Sequence, residues 1–251
     1  MKPQVYIDPR PAEFFDKYHA RVRSGRPGFA YRLTRLVLTG PILAGYRFRA
    51  IGADNVPERG PVLLAPNHFS FWDHFFVAVL LRREVHFMAK SQLFNPELLA
   101  WYINNGGVFP VRRGQRDQEA FITAHTIFDR DGMVLMYAEG GRSRSGELGQ
   151  PKPGLGRLAL ESGAPVVPIA IHGSERLREA KRRGLPKVTV QYGQPVRFPR
   201  TEHPTREQSQ EVANQVFDRV RTMHEALTKQ GRRGVLERLR HERRQGAPAT
   251  S

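Results

Sequence analysis

The 251-residue chain contains no cysteine. That absence excludes a disulfide framework, a cysteine nucleophile and thiolate metal ligands, and it is compatible with a reducing compartment. Long apolar runs are missing too. Nothing approaches the ~18 uninterrupted apolar residues of a spanning helix. The best run, 36–46, is broken by Thr39, Gly40, Pro41 and Gly45. The opening MKPQVYIDPRPAEFF lacks the compact apolar block of a signal peptide. A chain of this kind that meets a membrane is expected to lie on it. Acid is scarce: 24 Asp+Glu stand against 40 Lys+Arg, a formal charge of +16. Such a surface attracts polyanions, and nucleic acid and an anionic lipid surface are the two large candidates. An arginine-rich soluble protein with neither partner would show the same balance. With 39% hydrophobic and 10% aromatic residues, the chain can fill a core, so wholesale disorder is excluded. Its length fits one large α/β domain or two very small ones.

The first fifty residues carry ten basic and three acidic residues, interleaved with Phe14, Phe15, Tyr18, Phe29, Tyr31, Leu33 and Leu36 to Leu38. Helices fit 11–23 and 28–46, with Pro41 kinking or ending the second. Arg32 and Arg35 beside a leucine-rich face suit an interfacial helix, although the same face also suits packing on the domain. From Arg47 onward, short β-branched runs at 61–65, 85–89, 108–111, 134–138, 166–172 and 188–192 alternate with helical patterns. Those fall at 72–82, 96–105, 117–129, 154–162 and 174–182. The alternation predicts an α/β fold, a mostly parallel sheet flanked by helices, with the N-terminal amphipathic two-helix segment before it. Residues 205–229 read as a closing amphipathic helix, with Val212, Val216, Val220, Met223 and Leu227 at helical spacing. The expected organisation is 1–49 as basic, membrane-associating helices, 50–230 as the catalytic domain and 231–251 as a basic, flexible tail.

Four blocks carry the chemistry. Asn67-His68-Phe69-Ser70-Phe71-Trp72-Asp73 leaves a strand, so Asn67 is placed to cap a helix and His68 to stand at the carboxyl edge of the sheet, where ligands bind. Asp73, five residues on, can hold one ring nitrogen and leave the other as a base. Tyr137-Ala138-Glu139-Gly140-Gly141-Arg142-Ser143-Arg144 leaves another strand as an anion-accepting loop, its glycines letting backbone amides approach an oxyanion. Residues 141–145 miss the nucleophile-elbow pattern, because Ser145 stands where the last glycine belongs, so Ser143 is not read as a nucleophile. Gly107-Val108-Phe109-Pro110-Val111-Arg112-Arg113 ends a strand on paired arginines. Val166-Val167-Pro168-Ile169 is a buried-looking strand whose proline suggests an edge or a bulge.

In this order and spacing the four blocks resemble the glycerolipid acyltransferase family, whose bacterial members include 1-acyl-glycerol-3-phosphate (lysophosphatidic acid) acyltransferases. The family carries N-H-x4-D, G-x-F-x-x-R, [FY]-P-E-G-T-R and V-P-[IV] blocks, and the likeness runs from about Ile51 to Phe198. Phe87-Met88-Ala89-Lys90, Leu93-Phe94 and Lys152-Pro153-Gly154 also look like family sequence. In the third block Ala138 replaces the family's proline and Gly141 its threonine, while Glu139, Gly140 and Arg142 are kept.

The resemblance implies acyl transfer from a thioester, acyl-CoA or acyl carrier protein, to a lysophosphatidate-like hydroxyl, with no further cofactor and no metal. His68 is then the general base and Asp73 its orienting partner, an arrangement without an acyl-enzyme. Around the substrates it places Glu139, Gly140, Arg142, Arg112, Lys90 and Asn67. Arg142 heads a phosphate cradle that Arg112 and Lys90 assist, Glu139 contacts glycerol or positions Arg142, and Pro168 shapes the donor side. The implied partners are the thioester donor, a lysophospholipid and an anionic membrane surface, on the cytoplasmic face. Glycerol 3-phosphate, another lysophospholipid or a glycolipid are alternative acceptors. A non-enzymatic binder of anionic polymers is the rival of another class. Zinc-finger spacing, an RNP-type aromatic motif and a single basic helix are all missing, so no specific nucleic acid is expected.

Overall fold

The computed structural model describes residues 7–115, 117–179 and 184–246. Seven strands form one sheet in the order β1-β7-β6-β2-β5-β3-β4. They are β1 (Arg49–Ile51), β2 (Val62–Pro66), β3 (Val85–Lys90), β4 (Val108–Val111), β5 (Met133–Leu135), β6 (Val166–His172) and β7 (Thr189–Tyr192). Every pairing is parallel except β6 with β7. β2 lies central between β5 and β6, and all five of its residues are buried, as a strand covered on both faces must be. Its side chains alternate between two cores: Leu63 and Ala65 join one, Val62 and Leu64 the other.

Helices α1 (Asp16–Ser24), α2 (Phe29–Gly45), α3 (Asp73–Ala78), α4 (Glu97–Asn105), α5 (Gln118–Phe128), α6 (Pro153–Ser162) and α7 (Arg206–Gly246) cover the sheet. Pro41 lies inside α2, which runs on to Gly45. Asp117 caps α5, its Oδ1 accepting from the Ala120 N–H at 3.4 Å. Thr205 and Gln208 cap α7 reciprocally: the Gln208 N–H donates to Thr205 Oγ1 at 3.1 Å and the Thr205 N–H to Gln208 Oε1 at 2.8 Å. The alternation of strands and helices appears as the sequence predicts, with β1 added at the edge. β1 is only three residues long and carries an exposed arginine, too little for a period-2 pattern. The predicted helix at 174–182 is a short 3-10 turn over Ser174–Glu179, and its remainder lies outside the described residues.

Two expectations are corrected. Pro168 sits neither on an edge nor at a bulge but in β6, between β2 and β7. It is tolerated because it faces Gly193, one residue past the end of β7, where only the Gly193 N–H donates, to the Pro168 carbonyl at 2.8 Å. The tail expected to be flexible over 231–251 is helical to Gly246, after a break at Gly231, and its last part, 247–251, lies outside the described residues. Val235 is fully buried in the core and the Arg232 guanidinium donates to the Arg47 carbonyl at 2.7 Å, so burial holds what charge alone suggested would fray.

α6 and α7 approach closely at Gly156, where a Cβ would stand 1.8 Å from the Ser209 carbonyl oxygen. Because backbone rather than a flexible side chain occupies that space, Gly156→Ala is expected to cost about 1–3 kcal/mol of stability, read by urea denaturation. An unchanged midpoint would contradict this packing.

Candidate functional site

β2 stops at Pro66, and the next residues turn over the carboxyl edge of the sheet. Asn67 is fully buried. Its Nδ2 donates to the Ile171 carbonyl at 3.0 Å and its Oδ1 accepts from the Ile171 N–H at 2.7 Å. Asn67 therefore ties β2 to β6, and this corrects both its expected role as a helix cap and its place among the substrate contacts. α3 has Trp72 at its N-cap and no side-chain cap there; Asp73 at its start turns back to the loop instead. Asp73 Oδ2 accepts from the N–H of Phe69 at 2.7 Å and of Ser70 at 2.8 Å, folding the loop back on itself.

The same oxygen meets His68 Nδ1 at 2.9 Å. Asp73 is fully buried, and a carboxylate so placed accepts rather than donates, which puts the ring proton on Nδ1 and leaves the Nε2 lone pair for the cavity. His68's pKa is lowered from 6.5, first by burial, against the pull of Asp73, with Arg142 and Arg113 adding to the depression. The ring is neutral at neutral pH, as a base must be. Tyr137 stacks beneath it, ring centroids 3.7 Å apart and 14° from parallel. Burial holds the Tyr137 phenol well above its usual range, so it too is neutral.

The second loop is sewn to the first. Glu139 Oε1 accepts from the His68 N–H at 2.8 Å and Oε2 from the Gly149 N–H at 2.7 Å, while the Ser143 N–H donates to the His68 carbonyl at 2.8 Å. Both oxygens of Glu139 are thus committed to backbone, and burial raises its pKa despite those donors. Gly140 adopts a left-handed φ of 68° and turns its N–H to the Tyr137 carbonyl. Neither residue lines the cavity. What the structure shows for Glu139 is that it holds the His68 loop.

The cavity, about 350 Å³, opens beside His68. One part is apolar, walled by α2, α3, α4 and β3 through residues such as Tyr31, Leu38, Ile42, Phe75, Leu99 and Phe87. The other is cationic, with Lys90, Arg113, Arg142 and Arg144. Burial and the three arginines depress Lys90, and burial and Arg142 depress Arg113, which shows how tightly like charges are gathered. Of the predicted cradle, Lys90 and Arg142 are present. Arg112 is not: its N–H donates to Asp117 Oδ2 at 2.6 Å and its Nε lies 3.8 Å from that oxygen, on the helix side. Arg113 takes its place, because past β4 the chain turns and consecutive side chains diverge. The paired arginines were visible in the sequence, but not which of them faces the site. Tyr137, Arg144 and His74 also line the cavity; His74 is held near pKa 4 by burial among Phe71, Phe75 and Phe87. Pro168 lies against Gly193 and is not among the residues lining this cavity. No group of three or more potential metal ligands occurs among the described residues.

A neutral, carboxylate-held imidazole, an apolar wall and a cluster of cations meet at one cavity. Residues 47–172 match the Acyltransferase family model. The chain belongs to that family. It is 26% identical over 174 residues to the chloroplastic 1-acyl-sn-glycerol-3-phosphate acyltransferase BAT2 of Brassica napus, covering 68% of this chain and 48% of that protein. It is 28% identical over 184 residues to a glycerol-3-phosphate acyltransferase of Pseudomonas fluorescens, covering 66% of this chain and 22% of that protein. The chain thus spans less than half the length of these curated relatives. Its fold is like that of the 1-acyl-sn-glycerophosphate acyltransferase PlsC from Thermotoga maritima, with TM-score 0.58 at 18% identity over 86% of this chain and 90% of that one.

Asn67→Ala would leave a buried N–H and a buried carbonyl of Ile171 without partners. A loss of roughly 1–3 kcal/mol in urea denaturation is expected, and full stability would contradict the bridging role.

Proposed function

We propose that the protein transfers a fatty acyl group from a thioester, acyl-CoA or acyl carrier protein, to the hydroxyl of lysophosphatidic acid. The observation that carries the reading is His68, neutral, held at Nδ1 by Asp73 and bordering a cavity that joins an apolar wall to a cationic one. His68 Nε2 takes the acceptor's hydroxyl proton while that oxygen attacks the thioester carbonyl. The tetrahedral intermediate collapses to the ester, and the departing thiolate recovers the proton from the imidazolium. The acceptor hydroxyl stands where a serine would in a triad, so no acyl-enzyme forms. Arg113, Arg142 and Lys90 hold the acceptor phosphate, guanidinium groups taking its oxygens in pairs, and the apolar wall takes an acyl chain. The phosphate-binding wall favours lysophosphatidate and glycerol 3-phosphate over an uncharged glycolipid.

Against detergent-dispersed lysophosphatidate and an acyl thioester, His68→Ala is expected to lose on the order of 10²–10⁴-fold in turnover. Full activity in that variant would end the mechanism. Because His68's pKa is depressed and the base must be unprotonated, kcat/KM is expected to rise with pH along a limb centred below 6.5, then stay level through neutrality. A limb centred above 6.5 would contradict the assignment. Arg113→Gln is expected to raise the KM for phosphate-bearing acceptors by roughly tenfold or more, and Arg112→Gln to leave it nearly unchanged. The reverse order would restore the sequence-based choice.

Peripheral attachment to an anionic leaflet belongs to the same proposal. No helix among the described residues is long and apolar enough to cross a membrane. α2 nevertheless exposes Phe29, Leu36 and Val37 beside Arg32 and Arg35, and α4, packed on α2, exposes Leu98 and Trp101. A helix of that kind lies in the interface, each nearby Lys or Arg adding about 1 kcal/mol on an anionic surface. Phe29→Asp with Leu36→Asp should abolish co-sedimentation with anionic vesicles at low salt; unchanged binding would overturn this part. The cytoplasmic face follows from this proposal and the donors it names.

A further inference from the structure

At the other end of the sheet, where β2, β3 and β5 begin, a cleft of about 790 Å³ opens between the α1–α2 turn and the segments that lead into β2 and β5. Six arginines line it, Arg26, Arg32, Arg59, Arg82, Arg83 and Arg130, against the carboxylates of Glu58, Glu84 and Asp131. Four of these cations are already engaged. Arg82 pairs with Glu58 and Arg32 with Glu84. Arg83 donates to the carbonyls of Pro57, Gly60 and Asp131, and Arg130 to those of Thr126 and Val22. Arg26 and Arg59 have neither a hydrogen bond nor an ion pair among the described residues. Arg26 instead adds to burial in depressing Arg83, so the cleft gathers repelling charge that its own carboxylates do not balance.

The floor holds an independent oddity. His86 on β3 is 5% exposed, and neither ring nitrogen has a hydrogen-bond partner. The Gly25 and Met133 carbonyls lie near enough to favour the charged ring, yet burial prevails and holds it neutral, near pKa 4. The ring lines both this cleft and an adjoining cavity of about 160 Å³, which also shares Gly25 and Arg26. Buried polar groups left without partners are rare in native folds, and a neutral imidazole keeps one N–H to donate.

We propose that this cleft binds a phosphate group, at a site separate from the His68 cavity, with Arg26 and Arg59 taking its oxygens and a His86 ring N–H donating from the floor. The phosphate is that of a lipid headgroup or of a soluble phosphate ester. Arg26 stands three residues before Phe29, which is 73% exposed at the start of α2, so a headgroup in an adjoining leaflet would be within the site's reach. The proposal does not rest on the acyl-transfer reading.

The test titrates the full chain with inorganic pyrophosphate and follows the His86 ring signal by NMR, assigned through its own backbone. A saturable shift is expected. Arg26→Gln with Arg59→Gln should raise its midpoint roughly tenfold or more, while Arg219→Gln with Arg233→Gln, which removes equal charge from α7, should leave it within about twofold. Co-sedimentation with phosphatidylcholine vesicles containing phosphatidic acid separates the two sources. If the Arg26/Arg59 variant binds these vesicles less than the α7 control, the ligand is a headgroup; if both bind alike while the pyrophosphate response is lost, it is a soluble phosphate. A His86 signal that does not move, or that moves alike in both double variants, overturns the proposal.

Discussion

One buried carboxylate oxygen organises the site. Asp73 Oδ2 gathers the His68 ring and the backbone N–H groups of Phe69 and Ser70 within hydrogen-bonding distance. A carboxylate without water is tolerable only with such donors, and three on one oxygen leave the loop little freedom. The tautomer of His68, the fold of its loop and the start of α3 are therefore set together. Substitution at Asp73 would remove an anchor for the backbone as well as a partner for the base.

Around that point the two carboxyl-edge loops are made into one piece. Glu139 and Ser143 bind the backbone of His68 from the far side, and Tyr137 supports its ring. The functional consequence is precision, since a base misplaced by about an ångström loses much of its effect. The charges are partitioned accordingly. Behind the histidine, Asp73 Oδ2 and both oxygens of Glu139 accept from N–H groups, while Lys90, Arg113, Arg142 and Arg144 stand on the cavity side. An incoming anion meets only cations, and the depressed His68 keeps its lone pair among them because it is buried.

The architecture and the His68–Asp73 contact were legible in the amino-acid order because both follow from local pattern. β2 and β6 are uninterrupted apolar runs, α5 and α7 carry their own caps, and the N-H-x4-D spacing lets Asp73 reach back to His68. What was not legible depends on direction and on distant partners. Nothing near Asn67 announces that its amide will meet Ile171, 104 residues on. Glu139 was placed near the substrate by the family resemblance alone, and the partners of its oxygens, the N–H groups of His68 and Gly149, lie too far along the chain to be read from local pattern. Arg112 and Arg113 differ only in which way a turn sends them. The tail looked loose from its charge, while Val235 in the core, with Leu236 and Leu239 packed against it, ties it down.

The most direct measurement is of the His68 ring itself, by nitrogen-15 NMR on the full chain across a pH series. The expected result at neutral pH is a neutral ring with its proton on Nδ1, Nε2 bare, and charging only below pH 6.5. A proton resident on Nε2, or an imidazolium persisting at neutral pH, would contradict the claim that this histidine is the base.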